Sequence, residues 1–248
     1  MQSNRRLRVF ARSNGLGKST LFEEFKKTYN PGYFINADEL QKLLASSGLI
    51  DLKAMGLNAS EENLIAFKKT SEAKSLINKS NSEGYKIDIE VRENFIVDRS
   101  KLTNSYEASF VASFIRRLLI LSNKSFAFET VMSHSSKVAE IKKAQQKGYK
   151  TYLYFVCTNS PEINIDRVAN RVDKGVHNVD ENRIRSHYTD TLKNLYAAIK
   201  YSNRAYLFDN SGKQITLIAE IFGGVMLLKT NKLPQLFYNY VLPNYQTE

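Results

Sequence analysis

Short apolar runs alternate with segments of helical periodicity along most of the chain, and a sequence patterned this way has few ways to bury itself. Leu7 to Ala11 reads as a strand and Lys18 to Thr28 as a helix. Tyr33 to Ile35 follows as a second short strand. A helix from about Asp38 to Ala45 comes next, with Asp38 and Gln41 at capping-box spacing. Further strands are predicted at Ser125 to Glu129, Tyr149 to Cys157 and Arg204 to Phe208. Further helices are predicted at about His134 to Lys147, Pro161 to Asp173 and Glu181 to Lys200. Ser160 and Pro161 suit a cap followed by proline in the first turn. Strand and helix in alternation predict an α/β fold, a mainly parallel sheet flanked by helices on both faces.

The stretch from about 47 to 123 is long for one crossover. It carries a helical pattern near Glu61 to Asn78, the alternating residues Tyr85, Ile87, Ile89 and Val91, and a helix from Tyr106 to Leu121 leading back to the sheet. It reads as a helical and β insertion within a single domain spanning 1–248. With 248 residues, 42% of them hydrophobic, the chain can bury a substantial core. Its one cysteine, Cys157, excludes a disulfide framework or a cysteine-built zinc site and reads as a core thiol. No apolar run approaches the roughly 18 residues of a membrane span, and the basic start has no apolar stretch behind it. A cytoplasmic setting without a membrane partner is expected. The net charge of +11 favours anionic partners without choosing among them.

Chemistry enters between the first strand and the first helix. Arg12-Ser-Asn-Gly-Leu-Gly-Lys-Ser19 sits where a G-x-x-x-x-G-K-[ST] phosphate loop would, with Gly15, Gly17, Lys18 and Ser19 in place and Arg12 at the first glycine. In such a loop backbone amides wrap phosphates at a helix N-terminus, the lysine neutralises them and the hydroxyl serves Mg²⁺. Arg12 requires the loop to open without a positive φ, or with strain.

Ligands of open α/β sheets lie beyond the carboxyl ends of strands, which selects Asp38 and Glu129. Asp38 is placed either to accept a proton from an acceptor hydroxyl or to cap a helix. Glu129, followed by Thr130, either orients a metal-bound water beside Ser19 or is a surface glutamate at a strand end, the phosphate loop upstream favouring the metal. Arg167 and Arg171 share a helix face, with Ile165, Val168 and Val172 forming the apolar stripe, so the two guanidinium groups either address a transferring phosphoryl group or form a solvated face. Asp173 to His177 reads as a loop that closes over them. His187 stands on a polar helix side without a second ligand at metal-binding spacing. Asp209-Asn210-Ser211 either approaches a nucleotide base or forms an Asx turn. Lys137, Lys142, Lys143 and Lys147 form a solvated helix face.

Taken in order and spacing, Ser13 to Thr20, Asn36-Ala-Asp38, Phe126 to Thr130, Ser160-Pro-Glu162, Arg167 to Arg171, Gly175 to His177 and Phe208 to Ser211 resemble the zeta-toxin family of P-loop kinases. The resemblance covers most of the chain. It implies a P-loop NTPase fold and ATP-dependent phosphorylation of a hydroxyl on a nucleotide sugar such as UDP-N-acetylglucosamine, with an antitoxin as a possible protein partner. It implies that Asn14, Gly15, Gly17, Lys18, Ser19, Thr20 and Asn210 hold ATP. It further implies that Ser19 and Glu129 hold Mg²⁺, Thr130 meets substrate, Asp38 is the base, and Glu129, Arg167 and Arg171 act in transfer. Related sequences usually carry Gly-Pro-Asn-Gly in place of Arg12 to Gly15, Gly-Gly-His in place of Gly175 to His177, and arginines in place of His187 and Asp190. Two other readings stand beside the kinase. One is a nucleotide-binding regulator with little transfer. The other is a polynucleotide kinase, although no aromatic-interleaved basic module for single strands is visible along the sequence.

Overall fold

A computed structural model describes residues 5–12, 20–100, 102–172 and 179–245, with Thr20, Arg171 and Val172 described by their backbone alone. Along the chain the elements are β1 (Arg6–Arg12), α1 (Thr20–Thr28), β2 (Tyr33–Ile35), α2 (Ala37–Ser47), β3 (Leu49–Asp51), α3 (Glu61–Lys68), α4 (Ser71–Ser82), β4 (Ile89–Arg92), β5 (Phe95–Asp98), α5 (Ser105–Leu121) and β6 (Phe126–Thr130). They continue with α6 (Ser135–Gln146), β7 (Lys150–Cys157), α7 (Pro161–Val172), α8 (Glu181–Lys200), β8 (Arg204–Asp209), β9 (Thr216–Phe222), β10 (Val225–Leu228) and α9 (Gln235–Tyr240). Strand pairs β1–β7, β7–β8 and β2–β6 are parallel. A terminal antiparallel pair, β8–β9 and β9–β10, makes the fold a mixed, mostly parallel sheet flanked by helices. The alternation of the sequence predicted the parallel part. It did not predict β9, β10 or α9.

The chain divides into two compact units, 1–31 with 129–248 and 32–128. In the first, Val9 stands opposite Leu153 and Leu153 opposite Ala205, so the inward positions of three parallel strands form one apolar layer. Leu7, Leu153, Phe155, Ala205 and Leu207 are all buried there, and α8 adds Ile184, Tyr188, Leu192, Leu195 and Ile199 to the core, the stripe its periodicity predicted. Cys157 ends β7 in this core, with its thiol donating to the Phe208 carbonyl at 3.2 Å. Burial pushes that thiol's pKa well up, which makes it a poor nucleophile.

The second unit contains the β2–β6 pair and an antiparallel sheet of order β3-β5-β4, packed with α2 to α5. The helical pattern at 61–78 divides into α3 and α4 because Thr70 caps a new helix, accepting from the Ala73 amide at 3.2 Å. The alternation beginning at Tyr85 forms a strand only from Ile89, and Tyr85 itself is exposed. Helix α5, nearly all of it buried, is the centre of this unit. It opens with a capping box in which Asn104 accepts from the Tyr106 and Glu107 amides and Glu107 reaches back to the Asn104 amide. Gly32 is required where β2 begins: its φ is +76°, and a Cβ there would lie 2.2 Å from the Ser125 carbonyl oxygen.

Candidate active site

Strand β1 remains extended through Arg12, directly before the glycine-rich stretch. The arginine at the first glycine position therefore needs no positive φ, and the strain that was one alternative for it does not arise. Asn14, Gly15, Gly17, Lys18 and Ser19, and the loop from Asp173 to His177, lie outside the described residues, as do the side chains of Thr20 and Arg171. The described backbone still sets the frame: a parallel strand ends at Arg12 and a helix opens at Thr20, the order that turns a phosphate loop toward a helix N-terminus.

The Arg12 side chain joins a residue chosen independently. Its Nε lies 2.8 Å from Oε1 of Glu129, with both side chains largely shielded from solvent. A guanidinium thus occupies part of the carboxylate that the sequence reading assigned to a metal shell, and shielding strengthens the attraction relative to a surface pair. β6 runs one residue beyond Glu129, and Thr130 Oγ1 accepts from the Met132 amide at 3.0 Å. Met132 has φ +59°, a left-handed turn that redirects the chain after the strand. Two side chains of α8 hold this turn: Thr191 donates to the Val131 carbonyl at 2.7 Å and Asn194 to the Met132 carbonyl at 3.0 Å. Neither residue was selected from sequence. No sequence signal marks them as anchors, since the pairing depends on where α8 packs against the turn after β6.

A second cluster joins α7 to the end of β8. Arg167 Nη2 donates to the Gly212 carbonyl at 3.2 Å, and Asp209 Oδ1 accepts from the Ser211 amide at 2.9 Å and its hydroxyl at 2.5 Å. An Asx turn forms at 209–211, and the backbone amide of Asn210 donates to the Cys157 carbonyl at 2.8 Å. Asn159 donates its amide to Ser211 Oγ, which links the start of α7 to the same turn. The apolar stripe of α7 is narrower than its spacing predicted: Val168 is buried, Ile165 half-exposed, and the fully buried neighbour is Asn164, bonded to Thr158. Glu162 pairs with Arg185 of α8. The hydrogen bond from Arg185, followed by Glu162's own amide and Ser160, holds its carboxyl down at about 2. Asp190 is engaged within α8 by Lys193 at 3.5 Å and Ser186 at 3.3 Å, and His187 is half-exposed on the same helix. The lysine face of α6 is partly engaged, since Lys142 lies over the Tyr201 ring.

Asp38 belongs to the other unit. It is exposed in the first turn of α2 but does not cap it. Asn36 caps, accepting from the Asp38 and Glu39 amides at 2.8 and 3.3 Å. The expected capping box from Asp38 to Gln41 is therefore replaced by an asparagine cap two residues earlier. Among the described residues no three His, Cys, Asp or Glu side chains cluster as a metal site, and no helix is long and apolar enough to cross a membrane.

This fold, a mixed and mostly parallel sheet flanked by helices, is shared by solved structures. A chain of the AvrRxo1-ORF1:AvrRxo1-ORF2 complex with sulphate ions superposes with a TM-score of 0.52 at 16% identity, over 98% of this chain and 66% of that one. A chain of the same complex with ATP gives 0.51 at 16% identity over 98% and 65%. A chain of the PezAT chromosomal toxin-antitoxin system of Streptococcus pneumoniae gives 0.51 at 12% identity over 98% and 80%. The chain spans about two thirds of the AvrRxo1 chains it matches. No protein-family model matches the sequence, and no curated protein matches it.

Proposed function

We propose that this chain is an ATP-dependent kinase of zeta-toxin type that phosphorylates a hydroxyl of a nucleotide sugar such as UDP-N-acetylglucosamine, in the cytoplasm and under the control of an antitoxin. The observation that carries it is the junction at Arg12: a parallel strand ends there, the Gly15, Gly17, Lys18 and Ser19 signature follows, and a helix opens at Thr20. ATP would supply the phosphoryl group and Mg²⁺ would neutralise its charge. The donor set suits them by type, since Mg²⁺ is commonly held by one or two protein oxygens together with phosphates and waters, and Ser19 and Glu129 offer a hydroxyl and a carboxylate. In this reading Lys18 balances phosphate charge, with Asn14, Thr20 and Asn210 beside the nucleotide. Asp38 orients and deprotonates the acceptor hydroxyl, Thr130 meets the acceptor, and Arg167 and Arg171 stabilise the transferring group.

The test is mass spectrometry of nucleotide sugars incubated with enzyme, ATP and Mg²⁺, with Lys18→Ala as control. A phosphate-sized gain that the variant loses supports the kinase, and the absence of any phosphorylated acceptor rejects it. One observation favours the regulator reading. With Arg12 paired to Glu129, that carboxylate is already charge-compensated, and a chain that binds ATP without transfer would look the same here. Calorimetry showing ATP binding without turnover would select it.

A further inference from the structure

The two faces of the sheet in the first unit differ. Positions facing the core, Leu153 and Phe155 on β7, Ala205 and Leu207 on β8, Ala219 and Ile221 on β9, are at most 4% exposed. On the other face Tyr152, Tyr154, Arg204, Tyr206 and Glu220 are half-exposed and Phe222 is open, while Arg8 and Phe10 of β1 are buried, with Phe22 and Phe25 of α1 packed against the Phe10 ring. The register lines them up in two rows across strands that are distant in sequence. One row is Arg8, Tyr152, Arg204 and Phe222, and the other is Phe10, Tyr154, Tyr206 and Glu220. In the first row cation and aromatic ring alternate, with the guanidinium carbon of Arg8 5.7 Å from the Tyr152 ring centre and that of Arg204 4.8 Å from the Phe222 ring centre. In the second, three rings stack in parallel at 4.7 and 5.1 Å, close to the spacing of the strands themselves. The column ends at Tyr206, one strand short of the open hairpin where Phe222 is 60% exposed.

Charge on this face is nearly all of one sign. Arg6 and Lys150 pair in register at its lower edge, Arg204 stands within it and Lys229 follows β10. The carboxylate of the rows, Glu220, lies within 3.6 Å of both Arg204 and Lys229. The exposed Phe222 ring and the half-exposed Tyr206 ring at the end of its column, set among cations, fit a ligand that is at once planar and anionic, repeated at intervals.

We propose that the open face of β7 to β10 is a platform for single-stranded nucleic acid, with bases stacking on Phe222 and Tyr206 and phosphates meeting Lys150, Arg204 and Lys229. The linear sequence shows no such module because the rings and cations come from four strands and meet through register alone. The platform is independent of the phosphate loop, so it holds whether or not the chain is a kinase.

The experiment is fluorescence anisotropy of the full chain with a labelled ten-nucleotide uridine oligomer at two salt concentrations. Binding should weaken roughly twentyfold for a fourfold rise in salt, as three phosphate contacts on a single strand require. Phe222→Ala should weaken it about fivefold or more, Phe222→Tyr should preserve it, and Lys150→Glu should weaken it and flatten the salt dependence. Phe222 is exposed, so thermal melts should show these variants folded. Lys18→Ala should bind the oligomer as wild type does; if it does not, the nucleic acid occupies the phosphate loop and the proposal fails. Equal binding by wild type and Phe222→Ala also overturns it. A dimer in sedimentation that Phe222→Ser dissolves, without oligomer binding, would assign the face to a second copy of the chain.

Discussion

At the scale of single residues, Asn36 and not Asp38 caps α2, and Arg12 lies in extended backbone. Asp38 is relieved of capping by Asn36, so its carboxylate is not needed to satisfy the amides that open α2. Asp38→Asn should therefore leave the melting temperature within a degree or two of wild type while lowering transfer roughly 10²-fold or more, if it is the base. Product formation and thermal melts on the same preparation check both halves. Arg12 is held by Glu129 in an extended strand, where glycine would fit but remove this ion pair. Arg12→Gly should cost about 1–3 kcal/mol of stability, the usual range for losing a hydrogen bond to a charged, shielded group. It should raise Mg²⁺-dependent turnover if the guanidinium competes with the metal for Glu129. Urea unfolding and steady-state rates would show a stability loss with a gain in activity; a loss in both would mean that the ion pair serves the site.

At the scale of elements, Asn36→Ala should destabilise by about 1 kcal/mol through loss of the cap, in contrast to Asp38→Asn, measured by urea unfolding. Sequence reasoning placed α2, α5, α6, α7 and α8 to within two residues of their ends because their apolar periodicity is long. β2 was found at its full extent. The insertion was less legible: its strands are three or four residues long, too short for alternation to distinguish from a loop, and Thr70 divides one helical pattern into two. β9 and β10 carry exposed Phe222, Val225 and Leu227, so they lack the alternation of a half-buried strand. In the site, Glu129 was visible as a carboxylate ending an apolar strand, and Arg167 as one of two arginines four apart on a helix face. Their partners, Arg12 and the Gly212 carbonyl, were not, since pairing across strands and loops depends on register and turn geometry that spacing does not encode. Thr191 and Asn194 were invisible as anchors for the same reason.

For the molecule as a whole, the buried charge of the second unit sets a pH dependence. Glu107 is fully buried at the head of α5, where desolvation, with nearby Asp98 adding to it, raises its carboxyl above the ordinary 4.5. A raised carboxyl holds its proton more tightly in the folded state. Its contribution is complete below the unfolded value and is lost as pH rises through the folded one. Wild type should therefore lose stability relative to Glu107→Gln as pH climbs above about 4.5, read by urea unfolding at steps from pH 4 to 7. The division of the chain also bears on the order of folding. The second unit is continuous, whereas the first is assembled from two pieces, and β1 must wait for β7, more than a hundred residues later, before Val9 meets Leu153. Closing an unstructured loop of about a hundred residues costs several kcal/mol of chain entropy, and the cost falls once the intervening segment has collapsed on its own. During synthesis, then, residues 32–128 can become a folded bead before the β1–β7 pairing forms, and a mutation that slows the collapse of α5 would delay that pairing without touching any residue of either strand.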